Sequence, residues 1–267
     1  MPIAVVNGVN LHFEEHGSGE PIVLITGAGA RARVWTLQVQ ALAAEGYRVI
    51  TFDNRGVPPT DVGPEGFTLD DMVADTAGLI EVLGIARCRI VGFSLGGMIV
   101  QELLLAHPHL VTQAVLMATR GRTDALRAAM AVSEAELLDR GVPLPRYEAY
   151  VRATQNLSPR TQNNEEKIQD WLDIFEMSPL DISISRAQLG ITTIGNRLEE
   201  YRKIKAQCLA IGFQDDLMAP PHFCRELAEH IPDCQYEEIA GCGHYGYLED
   251  PVAVNSLIIS FFQNTKV

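Results

Sequence analysis

Cys88-Arg89-Ile90-Val91-Gly92-Phe93-Ser94-Leu95-Gly96-Gly97 is the stretch on which the reading of this chain turns. Its first four residues suit a short buried strand, and Met98 to His107, stopped by Pro108, suits a helix. Between them lies Gly-x-Ser-x-Gly, whose flanking glycines let the backbone turn sharply. That turn leaves the Ser94 hydroxyl at the strand's C-terminal edge, beside a helix N-terminus whose free N–H groups favour negative charge. Strand, tight turn and helix together are the context a nucleophile elbow needs. The five-residue pattern alone is common; its flanks carry the argument.

A serine hydroxyl is a weak nucleophile and needs a base, and the base needs a group to orient it. The base candidate is His244, in Gly241-Cys242-Gly243-His244-Tyr245-Gly246, where glycines imply a loop free to present an imidazole. The other histidines are poorer choices. His12 and His16 fall in an N-terminal hairpin, His107 and His109 bracket a proline, and His222 and His230 suit a helix surface. The acid is expected after the strand Gln207 to Gly212, where Asp215 and Asp216 compete. Asp216 lies four residues before Pro220 and is preferred; Asp215 is then a turn residue facing solvent.

With these residues in the chain order Ser, acid, His, the sequence resembles the α/β-hydrolase superfamily over essentially its whole length. It is most similar to the small, cofactor-free esterase, lactonase, C–C hydrolase and haloperoxidase-like branch. Asp53-Asn54-Arg55-Gly56 resembles that branch's D-x-R-G segment, and Trp35 stands where an aromatic often follows the oxyanion loop. Two features depart from the pattern: Val57-Pro58-Pro59-Thr60 follows Gly56, and Thr26-Gly27 replaces the usual His-Gly. The prolines stiffen that loop at one wall of the expected entrance. The resemblance implies that the N–H groups of Leu95 and Ala28 form an oxyanion hole, with Ser94, Asp216 and His244 as the catalytic triad. It implies no cofactor and no metal.

The bulk properties fit this reading. The 267 residues suffice for one large domain or a domain with an insertion. A hydrophobic fraction of 47% describes an ordinary globular protein, and a formal charge of −13 argues against nucleic acid or an anionic membrane as partner. No secretory signal or membrane-length apolar run is read at the start or elsewhere. Five scattered cysteines, Cys88, Cys208, Cys224, Cys234 and Cys242, suit reduced thiols of a cytoplasmic protein, with Cys242 a packed thiol near His244. The expected partner is a small-molecule substrate, and the expected state a monomer or homodimer.

Strands and helices alternate through residues 1–119 and again through 203–267, which predicts a mainly parallel sheet with helices on both faces. A hairpin is expected at Asn7-Gly8, and a helix over Phe67 to Leu83 capped by Thr68, with Asp70 and Asp71 in its first turn. Residues 120–202 break the alternation. They read as helices interrupted at prolines, an inserted helical cap or lid over the strands' carboxyl ends, where substrate would bind. Its candidate apolar residues are Met130, Leu137, Tyr147, Tyr150, Trp171, Phe175, Met177 and Leu180, with Trp171, Phe175 and Met177 taken as substrate-binding. Arg120, Arg122, Arg31 and Arg33 are read either as ion-paired or solvated residues or as substrate contacts.

The function these residues imply is hydrolysis of a carboxylic ester, of small or medium and partly apolar form, through an acyl-enzyme. A thioesterase or lactonase would use the same triad. A non-hydrolytic lyase or a ligand-binding protein on the same fold is the alternative of another class; failure of Ser94 to react with a fluorophosphonate would favour the binding protein.

Overall fold

The structure is a computed structural model describing residues 2–63, 66–130, 136, 145–178, 184, 188 and 190–264. The short apolar runs form strands β1 (Ile3–Val6), β2 (Val9–His16), β3 (Pro21–Ile25), β4 (Arg48–Phe52), β5 (Cys88–Phe93), β6 (Val111–Met117), β7 (Gln207–Phe213) and β8 (Cys234–Ile239). They join in one eight-stranded sheet, ordered β1-β2-β4-β3-β5-β6-β7-β8. The β1–β2 and β2–β4 pairs are antiparallel and every later pair is parallel. The hairpin turns at Asn7 and Gly8, with φ of 44° and 78°, the two positive values a two-residue turn of this hand requires.

Side-chain alternation along the central strands builds two cores. Val23, Ile25, Ile90, Ala114 and Leu116 face one side of the sheet, while Ile22, Leu24, Val91, Val115 and Met117 face the other. The first face is covered by α2 (Leu69–Val82) and α3 (Leu95–Ala106). The second is covered by α1 (Thr36–Ala44) and the final helix, Pro251–Gln263. The expected α/β architecture, mainly parallel and covered on both faces, is the one observed. Helix α2 starts as its residues dictate. Thr68 accepts the Asp71 N–H, and the Asp71 carboxylate accepts the Thr68 N–H at 2.8 Å, a reciprocal cap.

Strand β8 was not foreseen. Its sequence Cys-Gln-Tyr-Glu-Glu-Ile buries only Ile239 fully, because it is an edge strand with polar residues outward. Between β6 and β7 the described residues hold helices and no strand. These are α4 (Pro145–Asn156), α5 (Pro159–Gln162), α6 (Glu165–Met177) and α7 (Leu198–Tyr201), after a helical stretch at 125–130. Helices α4 and α6 bury Ala149, Ala153, Leu157 and Phe175 between them, against Trp171, Leu172 and Tyr245. Leu137 and Leu180 lie outside the described residues. No helix among the described residues is long and apolar enough to cross a membrane.

Candidate active site

Ser94 sits between β5 and α3 with φ 53° and ψ −115°, a conformation that costs a non-glycine residue about 1–3 kcal/mol. Several hydrogen bonds hold it there. The Ser94 N–H donates to the Met117 carbonyl at 2.9 Å, and the Ser94 carbonyl accepts the Thr119 hydroxyl at 2.8 Å and the Gly97 N–H at 3.0 Å. The flanking glycines are steric necessities. A Cβ on Gly92 would stand 2.4 Å from the Gly96 carbonyl oxygen, and one on Gly96 would stand 2.2 Å from that of Ile25. The elbow therefore presses against the end of β3, where the expected oxyanion loop begins.

That loop is clamped by the Asp53-Asn54-Arg55 segment. Asn54 Nδ2 donates to both the carbonyl and the hydroxyl oxygen of Thr26, at 3.1 Å each, and the Thr26 hydroxyl donates to the Ala30 carbonyl at 3.1 Å. Asp53 Oδ1 accepts the Ala32 N–H at 2.7 Å, while its Oδ2 lies 2.8 Å from His12 Nδ1. Gln188, fully buried, takes the Gly29 N–H at 2.7 Å and donates to the Arg55 carbonyl at 2.9 Å. Arg55 in turn forms a buried two-point pair with Asp75, at 2.6 and 2.8 Å; this bonding raises the guanidinium pKa above its usual value. Thr26, where the resembled pattern has histidine, thus serves as a hydrogen-bonding anchor. Ala28 is exposed at the loop's tip, and Leu95 is the first residue of α3, so its N–H has no intrahelical partner. Pro58 and Pro59 are exposed, and Thr60 returns the chain inward by donating its hydroxyl to the Asp53 carbonyl at 2.8 Å.

The structure brings Ser94, His244 and Asp216 together. His244 Nδ1 lies 2.8 Å from Asp216 Oδ2, and His244 Nε2 lies 3.2 Å from Ser94 Oγ. Asp216 is almost fully buried, and its Oδ1 accepts the N–H groups of Met218 and Ala219 at 2.8 Å each, which fixes the carboxylate. Asp215 sends its backbone N–H to the Cys242 carbonyl at 2.9 Å. The Phe93 ring lies 4.9 Å from the imidazole, backed by Trp35 and Tyr247. An imidazole held on one nitrogen by a carboxylate, with its other nitrogen at a hydroxyl, can take that hydroxyl's proton.

Tyr245, next to His244, packs its ring 6.0 Å from Trp171 and 6.2 Å from Phe175. Trp171 is half-buried beside it. Phe175 is 3% exposed and lies under the Arg152 guanidinium at 4.4 Å, which makes it a packing residue of the inserted helices. Met177 is 76% exposed and lies outside that packing. Tyr147 and Tyr150 are also exposed, because they occupy the outer face of α4.

The remaining expectations resolve locally. Arg122 pairs with Glu226 at 2.6 and 2.8 Å and stacks on Phe223, Arg120 is buried over the same ring, and Arg31 and Arg33 are exposed. Cys242 is fully buried, and burial pushes its thiol up to about 11, which suits a packed, unreactive group. Among the described residues, no group of three or more His, Cys, Asp or Glu side chains is arranged to hold a metal. Sequence reading missed His12, buried against Asp53, as well as Gln188 and Glu249. Each bonds to at least one residue distant in the chain, and no local pattern marks it.

Comparison with known proteins identifies the family of the fold. A family model described as alpha/beta hydrolase fold matches residues 20–251. A Mycobacterium tuberculosis H37Rv protein provisionally named non-heme bromoperoxidase BpoC is 46% identical over 261 residues, spanning 97% of this chain and 99% of that one. Its crystal structure superposes with a TM-score of 0.92, covering 97% of both chains at 45% identity. A protein of Azorhizobium caulinodans provisionally named carbamate hydrolase RutD is 29% identical, over 98% of each chain. The enol-lactonase of Burkholderia xenovorans LB400 gives a TM-score of 0.84 at 25% identity, over 98% of this chain and all of that one.

Proposed function

This chain belongs to the α/β-hydrolase fold family, and we propose that it is a serine hydrolase cleaving ester-type bonds through an acyl-enzyme. The observation that carries this reading is the hydrogen-bonded line Asp216–His244–Ser94, at 2.8 and 3.2 Å. His244, oriented by Asp216, takes the Ser94 proton as Oγ attacks the substrate carbonyl. The N–H groups of Leu95 and Ala28 stabilise the resulting oxyanion; losing one such donor typically costs about 3–4 kcal/mol of transition-state stabilisation. His244 then gives its proton to the leaving alcohol, and activates water to release the acid and restore Ser94. Trp171, half-buried beside Tyr245, is the residue through which the described inserted helices would meet the substrate. Thioesters, lactones and carbamates would be attacked in the same way.

A second reading is favoured by the similarity to the protein named as a bromoperoxidase. If hydrogen peroxide replaces water at the acyl-enzyme, the product is a peracid, and the peracid oxidises bromide in solution. The same triad serves both outcomes.

The test is the intact mass of wild type and Ser94→Ala after fluorophosphonate treatment, with hydrolysis of short- and medium-chain p-nitrophenyl esters. One adduct on wild type only, with ester turnover, is the expected result. Absence of any adduct would overturn the proposal. Adduct without turnover of esters, thioesters or lactones would move the protein to non-hydrolytic chemistry on this fold.

A further inference from the structure

Glu249 lies outside the residues given roles above, yet its carboxylate joins the two chain segments that meet at His244. Oε2 accepts the N–H of Gly243, the residue before His244, at 2.6 Å. Oε1 accepts the Ser158 N–H at 3.0 Å and the Ser158 hydroxyl at 2.7 Å. Ser158 is fully buried and caps α5 in the inserted helices. The contact continues beyond the carboxylate. The Tyr245 N–H donates to the Asn156 carbonyl at 3.0 Å, and a Cβ on Gly243 would stand 2.7 Å from the Asn156 oxygen and the Ser158 nitrogen. Both neighbours of His244 are therefore fastened to residues 156–158. An ionised carboxylate suits this junction, since it only accepts and here meets three donors.

We infer that Glu249 is a positioning residue, which makes the direction of the His244 imidazole depend on how the β6–β7 insertion is seated. This rests on the reading of His244 as the general base. The base must point both at Asp216 and at Ser94, and a displacement of about 1 Å in such a group can lower turnover by about 10²-fold. The polypeptide around His244 carries glycines at 241, 243 and 246, so its position is set by the contacts it makes rather than by its intrinsic backbone preference. The Asp215 N–H ties the loop to the core through the Cys242 carbonyl, and the insertion adds a second tie at the two neighbours of His244, with Glu249 as its link.

The test variant is Glu249→Gln, which keeps the shape and one acceptor but turns an NH2 towards a donor. It is expected to lower kcat on a p-nitrophenyl ester by about 10- to 100-fold and the fluorophosphonate inactivation rate equally, with KM within about twofold. The downfield proton resonance of His244 Nδ1–H, in its bond to Asp216, is expected to shift or broaden in the folded variant. Ser158→Ala, which weakens only the insertion's side, should give a smaller loss in the same direction. The double variant should be no slower than Glu249→Gln alone, because both act through one link. A purely structural role would lower the melting temperature and leave kcat and the resonance unmoved, which overturns the inference. So would losses that multiply in the double variant. Should Glu249→Gln not fold, Ser158→Ala decides: unchanged kcat and resonance sink the idea. If wild type takes no fluorophosphonate, the hydrolase reading fails by itself. The resonance then still reports whether Glu249 orients His244.

Discussion

Gly27 lies against Ser94 so closely that a Cβ on it would stand 3.2 Å from the Ser94 Cβ and 3.0 Å from the Phe93 ring. The glycine is fully buried, and its φ is not in the left-handed region, so the requirement is for space alone. Gly27→Ala is expected to fold, to push Ser94 and Phe93 by a few tenths of an ångström, and to lower kcat by about tenfold. Ester kinetics beside a thermal melt check this. An unchanged kcat would mean that the serine tolerates the shift.

Much of this site was legible because the fold writes it in local signals. The elbow is a strand–turn–helix in ten residues, and the Ser, acid, His order follows the sheet's later strands. What stayed hidden depends on contacts between distant segments. His12 reads as a hairpin histidine, yet β2 lies beside β4, and the Asp53 carboxylate that follows β4 meets its ring. Gln188 is one polar residue in a helical insertion, and only the folded chain sets it against Gly29. Glu249 directly precedes Asp250, which caps the last helix by accepting the Ala253 N–H at 3.1 Å, and nothing in that run marks the reach of Glu249 to Ser158. Met177 fits a helical stripe by spacing, but the stripe's buried edge runs through Phe175 and Trp171 and leaves Met177 outside.

The two adjacent aspartates should separate cleanly in kinetics. Asp216 spends one oxygen on His244 and the other on two backbone N–H groups, so an amide there disrupts both the tautomer and the loop. Asp216→Asn is expected to lose about 10⁴-fold in kcat, the scale seen when a triad acid is so replaced. Asp215→Asn, whose structural bond is through its backbone, should keep wild-type turnover. Reversed losses would reassign the acid.

Phe175 and Met177 lie two residues apart on α6 and should behave oppositely. Phe175→Ala opens a cavity between α4 and α6 and removes the face on which Arg152 rests, at an expected cost of about 3–5 kcal/mol. Met177→Ala removes an exposed side chain and should stay within about 0.5 kcal/mol of wild type, with KM unchanged. Denaturant melts and ester kinetics on both variants check this pair. A raised KM in Met177→Ala would place it on the substrate's path.

The buried thiols predict how stability ends at high pH. Burial pushes Cys88 and Cys224 up to about 12 and Cys242 to about 11, against 9.0 for the same thiol in the unfolded chain. Each group is therefore held neutral in the folded state, where the unfolded chain can ionise it. Below pH 9 both states are protonated and the contribution is fully present. As pH rises from 9 towards 11 the unfolded state gains by losing protons, and each thiol removes up to about 1.4 kcal/mol of stability per pH unit. Urea midpoints should fall steeply across that window, with burial of Tyr201 and Tyr247 adding to the fall at higher pH. Cys242→Ala should flatten the slope between pH 9 and 11, because it removes one of the groups that titrate only on unfolding. A slope identical to wild type would show that Cys242 already ionises in the folded protein, and would make it a reactive thiol two residues from His244.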